Sequence, residues 1–210
     1  MHLYGLIIGV SIIIGINYFS RNQKVISKTK ENFFIYSLLF FSIIGARLYH
    51  VIDYWNYYSQ NTNQIYATWN GGLGIYGALI GGIIYIFFFS LFSRISFLKI
   101  LDSITPILPL CQAIGRIGNF FNHEIPVWWL EASLNLILFF IIKSEALKNY
   151  SSTALYLIGY GSIRFFIEFF RNDTWTINGV KIAQLISIIS LVIGIILINY
   201  EKIKIVQKDH

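Results

Sequence analysis

Gln112-Ala113-Ile114-Gly115-Arg116-Ile117-Gly118-Asn119-Phe120-Phe121-Asn122-His123-Glu124 is a polar, glycine-bearing stretch in a chain whose other long segments are nearly all apolar. Read as a helix, it sets Gln112, Arg116, Asn119 and His123 on one stripe. An arginine in the outer half of a membrane helix costs a few kcal/mol or more, so it normally faces a cavity or a partner and marks function. Gly115 and Gly118 beside it leave room for a ligand or a second backbone. The competing reading is a structural arginine neutralised by a carboxylate on a neighbouring helix.

Working outward, 56% of the 210 residues are hydrophobic and only 12% charged, with mean hydropathy +0.62. A soluble domain carries roughly 25% charged residues, so this composition belongs to an integral membrane protein. The single cysteine, Cys111, cannot form an internal disulfide. The net charge of +6 would suggest nucleic acid only if the basic residues shared a soluble face, and they do not. The apolar run Leu3–Ile16 has its charges after it rather than before, which suits an uncleaved first span.

A span needs about 20 apolar residues, and seven segments fit: 3–20, 32–52, 71–92, 100–122, 127–143, 153–170 and 180–199. If they alternate, eleven of the sixteen Lys and Arg fall on one side: Arg21, Lys24, Lys28, Lys30, Arg94, Lys99, Lys143, Lys148, Lys202, Lys204 and Lys208. The other side keeps Arg171 and Lys181. By the positive-inside rule the N-terminus is outside and the C-terminus cytoplasmic. The polar residues within spans then lie in their outer halves: Tyr4, Arg47, Tyr76, the Gln112–Glu124 stripe, Arg164 and Glu168. A channel would need them through the whole depth. The expected architecture is all-α and polytopic, about seven transmembrane helices around a cavity open to the outer leaflet, with residues 1–210 as one membrane domain.

Gly71, Gly72 and the glycines that follow allow tight turns and close backbone approach to a headgroup. Thr174–Ile182 reads as a short hairpin around Asn178-Gly179. Trp69, Trp128, Trp129 and Trp175 sit where an aromatic belt would place them. On the sixth span Tyr160, Arg164, Glu168 and Arg171 share one face. Arginine presents a planar fork that holds phosphate oxygens bidentately, and inside a membrane the available phosphate is a phospholipid headgroup. Glu124, Glu131 and Glu168 are placed to orient the arginines. No cluster has convincing metal-ligand spacing. The residues by themselves indicate a phospholipid-binding membrane protein.

The stretch Gln112–Glu124 resembles the signature of the prolipoprotein diacylglyceryl transferase family. The resemblance extends in order to His2-Leu3-Tyr4-Gly5, Gly45-Ala46-Arg47-Leu48, the glycine run from Gly71 to Gly81, Asp102 with Pro106, and Tyr160–Arg171 with the segment to Gln184. It implies transfer of a diacylglyceryl group from phosphatidylglycerol to the lipobox cysteine thiol of a preprolipoprotein, in the bacterial plasma (inner) membrane, with no cofactor and no nucleic acid. It further implies Arg116, Arg164, Asn119, Glu124 and Tyr76 as catalytic residues. Tyr4, Arg47, Gly71, Gly72, Gln112, Arg116, Glu131 and Glu168 are the implied substrate-binding set. Within it, Arg116 is expected to hold the donor phosphate throughout. Arg164, with Glu168 one turn away, is expected to engage as the leaving phosphate gains charge.

Two features depart from the family pattern. Tyr76 stands where the family's candidate base is often histidine. A phenol with pKa near 10 is a poor base, so Tyr76 is expected to hydrogen-bond the headgroup, with His123 or Glu124 taking the proton or the cationic field lowering the thiol pKa. The connection from Glu124 to Glu131 is six residues long, where relatives carry a long outer insertion. A non-catalytic phospholipid-binding relative, as a scaffold or lipid-moving protein, is the second reading.

Overall fold

The computed structural model describes residues 2–122, 127–144, 149–171, 174–177 and 179–206. Its helices are α1 (His2–Asn22), α2 (Lys28–Asp53), α3 (Trp55–Tyr58), α4 (Ile75–Ser93), α5 (Phe97–Ile104), α6 (Leu108–Asn122), α7 (Trp128–Lys143), α8 (Ser152–Ile167) and α9 (Ile182–Val206). Among the described residues, five segments are long and apolar enough to cross a membrane: Leu3–Asn22, Lys28–Asp53, Ile75–Ser93, Phe97–Asn122 and Ile182–Tyr200. Large hydrophobic side chains stand exposed along them, among them Ile83, Phe92 and Ile196. Lipid, not protein, must cover such faces. The chain is a multi-pass helical membrane protein.

Two of the expected seven spans are short. α7 and α8 have 16 residues each, about 24 Å at ~1.5 Å per residue, against a hydrocarbon core of roughly 30 Å. The expected fourth span is interrupted. Pro106 has no N–H for the carbonyl four residues back, and Thr105–Ile107 tightens into a 3-10 turn between α5 and α6. The third starts late, because Gly71 and Gly72 take φ of 87° and 73°, left-handed values that a continuous helix cannot include.

The described residues divide into two compact units, Lys24–Ile100 and the combination of Met1–Gln23 with Leu101–His210. In the smaller unit α2 and α4 cross backbone to backbone at glycines. A Cβ at Gly77 would run into the carbonyl oxygen of Gly45, and one at Gly81 into that of Phe41. Small residues at such a crossing let van der Waals packing hold helices that lipid alone would not drive together.

In the larger unit α1 is tied to α6 by a reciprocal pair. Ser11 Oγ donates to the Cys111 carbonyl at 3.0 Å, and Cys111 Sγ to the Ser11 carbonyl at 3.4 Å. Asp102 secures the start of α8, accepting from Ser151 Oγ at 2.6 Å, Thr153 Oγ1 at 2.7 Å and the Thr153 N–H at 2.8 Å. A carboxylate there also meets the positive end of the helix dipole. The expected hairpin is present: β1 (Thr176–Ile177) pairs antiparallel with β2 (Val180–Lys181), Ile177 opposite Val180. Gly179 has the positive φ, 80°, that such a two-residue connection requires.

Candidate active site

Tyr4 at the start of α1, Arg116 and Asn119 at the end of α6, Glu131 at the start of α7 and Arg164 and Glu168 at the end of α8 form one group in the larger unit. Arg116 is the centre. Its Nη2 donates to Glu131 Oε1 at 2.6 Å and its Nη1 to Asn119 Oδ1 at 3.0 Å. The Glu131 side chain is fully buried, and that of Arg116 is 21% exposed. Gly118 makes room for the Tyr4 ring, since a Cβ there would stand 2.8 Å from Tyr4 Cδ2. The Tyr4 hydroxyl is close enough to interact electrostatically with Arg116. Gln112 reaches across to α8, its Nε2 donating to the Tyr156 hydroxyl at 2.7 Å. Tyr156 stacks on Tyr160 with centroids 5.5 Å apart.

Arg164 and Glu168 form the second pair, Nη2 to Oε2 at 2.8 Å, a close ion pair without hydrogen-bond alignment. Glu168 is fully buried and Arg164 is 17% exposed on its side chain. The Tyr160 hydroxyl lies within electrostatic range of Glu131, Arg116 and Arg164. The turn that carries Glu168 is fixed from β2: Lys181 Nζ donates to the Glu168 carbonyl at 2.6 Å and to that of Arg171.

The sequence shows a partner for Arg164 one turn away and, for Arg116, a carboxylate on a neighbouring helix as one of two readings. The structure pairs Arg116 with Glu131 on the next helix. Both terminal nitrogens of Arg116 have protein partners. Among the described residues, the buried terminal arginine nitrogen without one is Arg164 Nη1. Burying a charge without an opposite charge is costly, so each arginine keeps a carboxylate while part of its donor capacity stays uncommitted.

Arg47, Gly71, Gly72 and Tyr76 belong to the smaller unit. Arg47 is buried and donates only to backbone carbonyls: Nε to Ile65 at 2.9 Å, Nη1 to Gly71 at 2.6 Å and Gly72 at 3.0 Å, and Nη2 to Gln64. Its guanidinium also lies 5.3 Å from the centre of the Tyr58 ring. The carbonyls of Gly71 and Gly72 thus turn inward to Arg47. Tyr76 packs beside Tyr49, with centroids 6.2 Å apart. Arg47→Met would strip donors from four carbonyls at once, each charge-assisted bond being worth about 1.5–3 kcal/mol. Limited proteolysis in detergent is expected to cut between Tyr58 and Gly72 at least tenfold faster; unchanged cutting would show that the loop holds itself. His123 and Glu124 lie outside the described residues.

Sequence reasoning had no sign of Tyr156 or Lys181 as supports of this site. Tyr156 is one helical turn before Tyr160, a spacing that marks the shared face but not the Gln112 contact. Nothing local marks Lys181, because the hairpin carries it back.

A multi-pass helical membrane protein with two partly exposed arginines, each paired with a fully buried carboxylate, presents donors that can meet an anionic group. Comparison with known proteins narrows that class: the chain belongs to the prolipoprotein diacylglyceryl transferase family, whose model matches residues 1–129 and 126–200. The two matches meet at the short connection between α6 and α7. Curated relatives named phosphatidylglycerol--prolipoprotein diacylglyceryl transferase include that of Streptococcus uberis, 32% identical over 94% of this chain and 90% of its own. That of Finegoldia magna is 33% identical over 98% and 93%. That of Lactococcus lactis subsp. cremoris is 35% identical over 77% and 74%.

Proposed function

We propose that this chain transfers the diacylglyceryl group of phosphatidylglycerol to the lipobox cysteine thiol of a preprolipoprotein. The observation that carries the reading is the paired arrangement of Arg116 with Glu131 and Arg164 with Glu168 in a member of this family. In the reaction the cysteine sulfur bonds to the terminal carbon of the diacylglyceryl group. The bond from that carbon to the phosphate oxygen breaks, and its electron pair leaves with glycerol phosphate. The thiol proton passes to the departing phosphate or to water. A phosphodiester with one negative charge becomes a monoester with up to two, its second pKa being near 6. The charge to be stabilised therefore grows on the phosphate. Donors already fixed in a water-poor site stabilise it without reorganising. Arg164, with Nη1 uncommitted, is the better placed to meet it, and Arg116, closed on Asn119 and Glu131, supplies the fixed field and the remaining Nε donor. Arg47 holds the Gly71–Gly72 loop. The test is incubation of the purified protein with phosphatidylglycerol and a lipobox peptide, followed by mass spectrometry. Gain of one diacylglyceryl mass supports the reading; an unmodified peptide, with lipid bound, supports the non-catalytic alternative.

The reading includes seven spans, N-terminus outside and C-terminus cytoplasmic. α8 continues as a 3-10 turn, Glu168–Phe170, which adds about 6 Å at ~2 Å per residue. α7 is bounded by Trp128, Trp129 and Lys143, residues suited to anchoring a short span at the interfaces. Single cysteines at Lys28 and Asn172, in a Cys111→Ala background, are expected to be silent and labelled, respectively, with an impermeant thiol reagent on intact cells. The reverse pattern overturns the orientation.

Tyr76 is read as a headgroup contact. Tyr76→Phe is expected to retain activity within about tenfold, the ~1 kcal/mol of one neutral hydrogen bond, and Tyr76→His to be tolerated. Complete loss of transfer in well-folded Tyr76→Phe would place the hydroxyl in the chemistry.

A further inference from the structure

We propose a second anion site, shaped for a glycerophosphate group, at the end of the larger unit opposite Arg116. Ile14, Asn17, Tyr18, Arg21 and Asn22 of α1 and Lys143 of α7 line a hollow of about 390 Å³. The α1 residues recur at three- and four-residue spacing, so they form one stripe. Lys143 Nζ is 5.3 Å from the centre of the Tyr18 ring and 5.4 Å from that of Phe139, and the two rings meet edge to face at 6.0 Å. The favourable helix-end field explains a basic residue in a last turn. It does not explain why this lysine, free to extend into water, is instead held over two rings beside α1.

Arg21 lies one turn beyond Tyr18, and neither cation has a carboxylate partner among the described residues. Asn17 and Asn22 each donate Nδ2 to their own helix, to Ile13 O at 2.9 Å and Tyr18 O at 2.8 Å. Their carboxamide oxygens remain as acceptors. Two cations and two acceptors match a phosphate that carries hydroxyl groups. An amine-bearing headgroup would set its own positive charge against both cations. The preceding turns of α1 expose Val10 and Ile13, an apolar wall continuous with Ile14 along which acyl chains can lie. A lipid glycerophosphate headgroup therefore fits better than a soluble one.

Lys143 is twelve residues from Glu131 along α7, about 18 Å at ~1.5 Å per residue. The site is thus separate from the arginine pairs and does not depend on the transfer reaction. Full-length protein in neutral detergent would be irradiated with photoreactive phosphatidylglycerol and the labelled peptides mapped by mass spectrometry. Label is expected on the α1 segment around Tyr18 and on the end of α7. In Arg21→Gln/Lys143→Gln it is expected to fall at least fivefold, while label near Arg116 and the transfer activity persist. Excess free glycerol phosphate distinguishes the source: no effect means a lipid occupant, and loss of label means a soluble phosphate in the same site. Unchanged label in the double variant, or equal label from photoreactive phosphatidylcholine, overturns the proposal. If the double variant aggregates, each single variant is expected to lose at least half the label, and unchanged label in both overturns it equally.

Discussion

Arg164→Gln is expected to slow diacylglyceryl transfer by about a hundredfold to a thousandfold, the range seen when one fixed donor to developing charge is removed. Three features of the site lead to that size. Arg164 carries a buried terminal guanidinium nitrogen that no group among the described residues answers. Its partner Glu168 is fully buried, and Lys181 holds the Glu168 backbone carbonyl, which fixes the turn that carries the pair. The charge it meets grows during the reaction, so the contact belongs more to the transition state than to the bound donor, and its loss appears in turnover rather than in apparent affinity. Arg164→Lys is expected to recover no more than about tenfold, because a single ammonium cannot hold Glu168 and a phosphate oxygen in the fork geometry. Initial rates and donor saturation curves in mixed micelles measure both quantities. A variant that binds donor weakly but turns over at the original rate would move Arg164 from the chemistry to recognition.

The same comparison shows which parts of the site a sequence makes legible. The helices could be read because lipid imposes a simple rule of length and apolarity, and the hairpin because Asn178-Gly179 is a local turn signal. Two of the exceptions in the helix pattern come from local chemistry as well: the missing N–H of Pro106 and the left-handed glycines before Ile75. The Arg164–Glu168 pair was visible because both residues lie on one helix, four apart. The Arg116–Glu131 pair was not visible as a pair, although each residue stood out by itself. Its two members lie on different helices, and a spacing of fifteen residues has no helical meaning. Arg47 stood out for the same reason as Arg116, as a charge within an apolar segment, but four carbonyls of a distant loop take its donors. Burial of an arginine signals that something must answer it; which group does so is a property of the tertiary fold.

That dependence makes Glu131 a sensitive position in the larger unit. Glu131→Gln keeps the volume and one hydrogen-bond acceptor but leaves Arg116 without its counter-charge, and Glu131→Ala adds a cavity. Removing one partner of a buried ion pair costs about 3–5 kcal/mol, a large fraction of the roughly 5–15 kcal/mol that holds a typical soluble domain. Asn119 is neutral and cannot replace the carboxylate. Both variants are expected to unfold at markedly lower temperature in detergent, with Glu131→Ala the worse, and to lose transfer. The double variant Glu131→Gln/Arg116→Gln removes both charges and retains hydrogen-bonding amides. It is expected to regain much of the thermal stability while remaining inactive, because the fixed field at the phosphate is gone. Thermal unfolding and transfer rate, measured on the same four proteins, separate the two roles of the pair. If the double variant is no more stable than Glu131→Gln, the cost lies in packing around α7 rather than in an unanswered arginine. If it recovers transfer along with stability, Arg116 serves the fold and not the reaction.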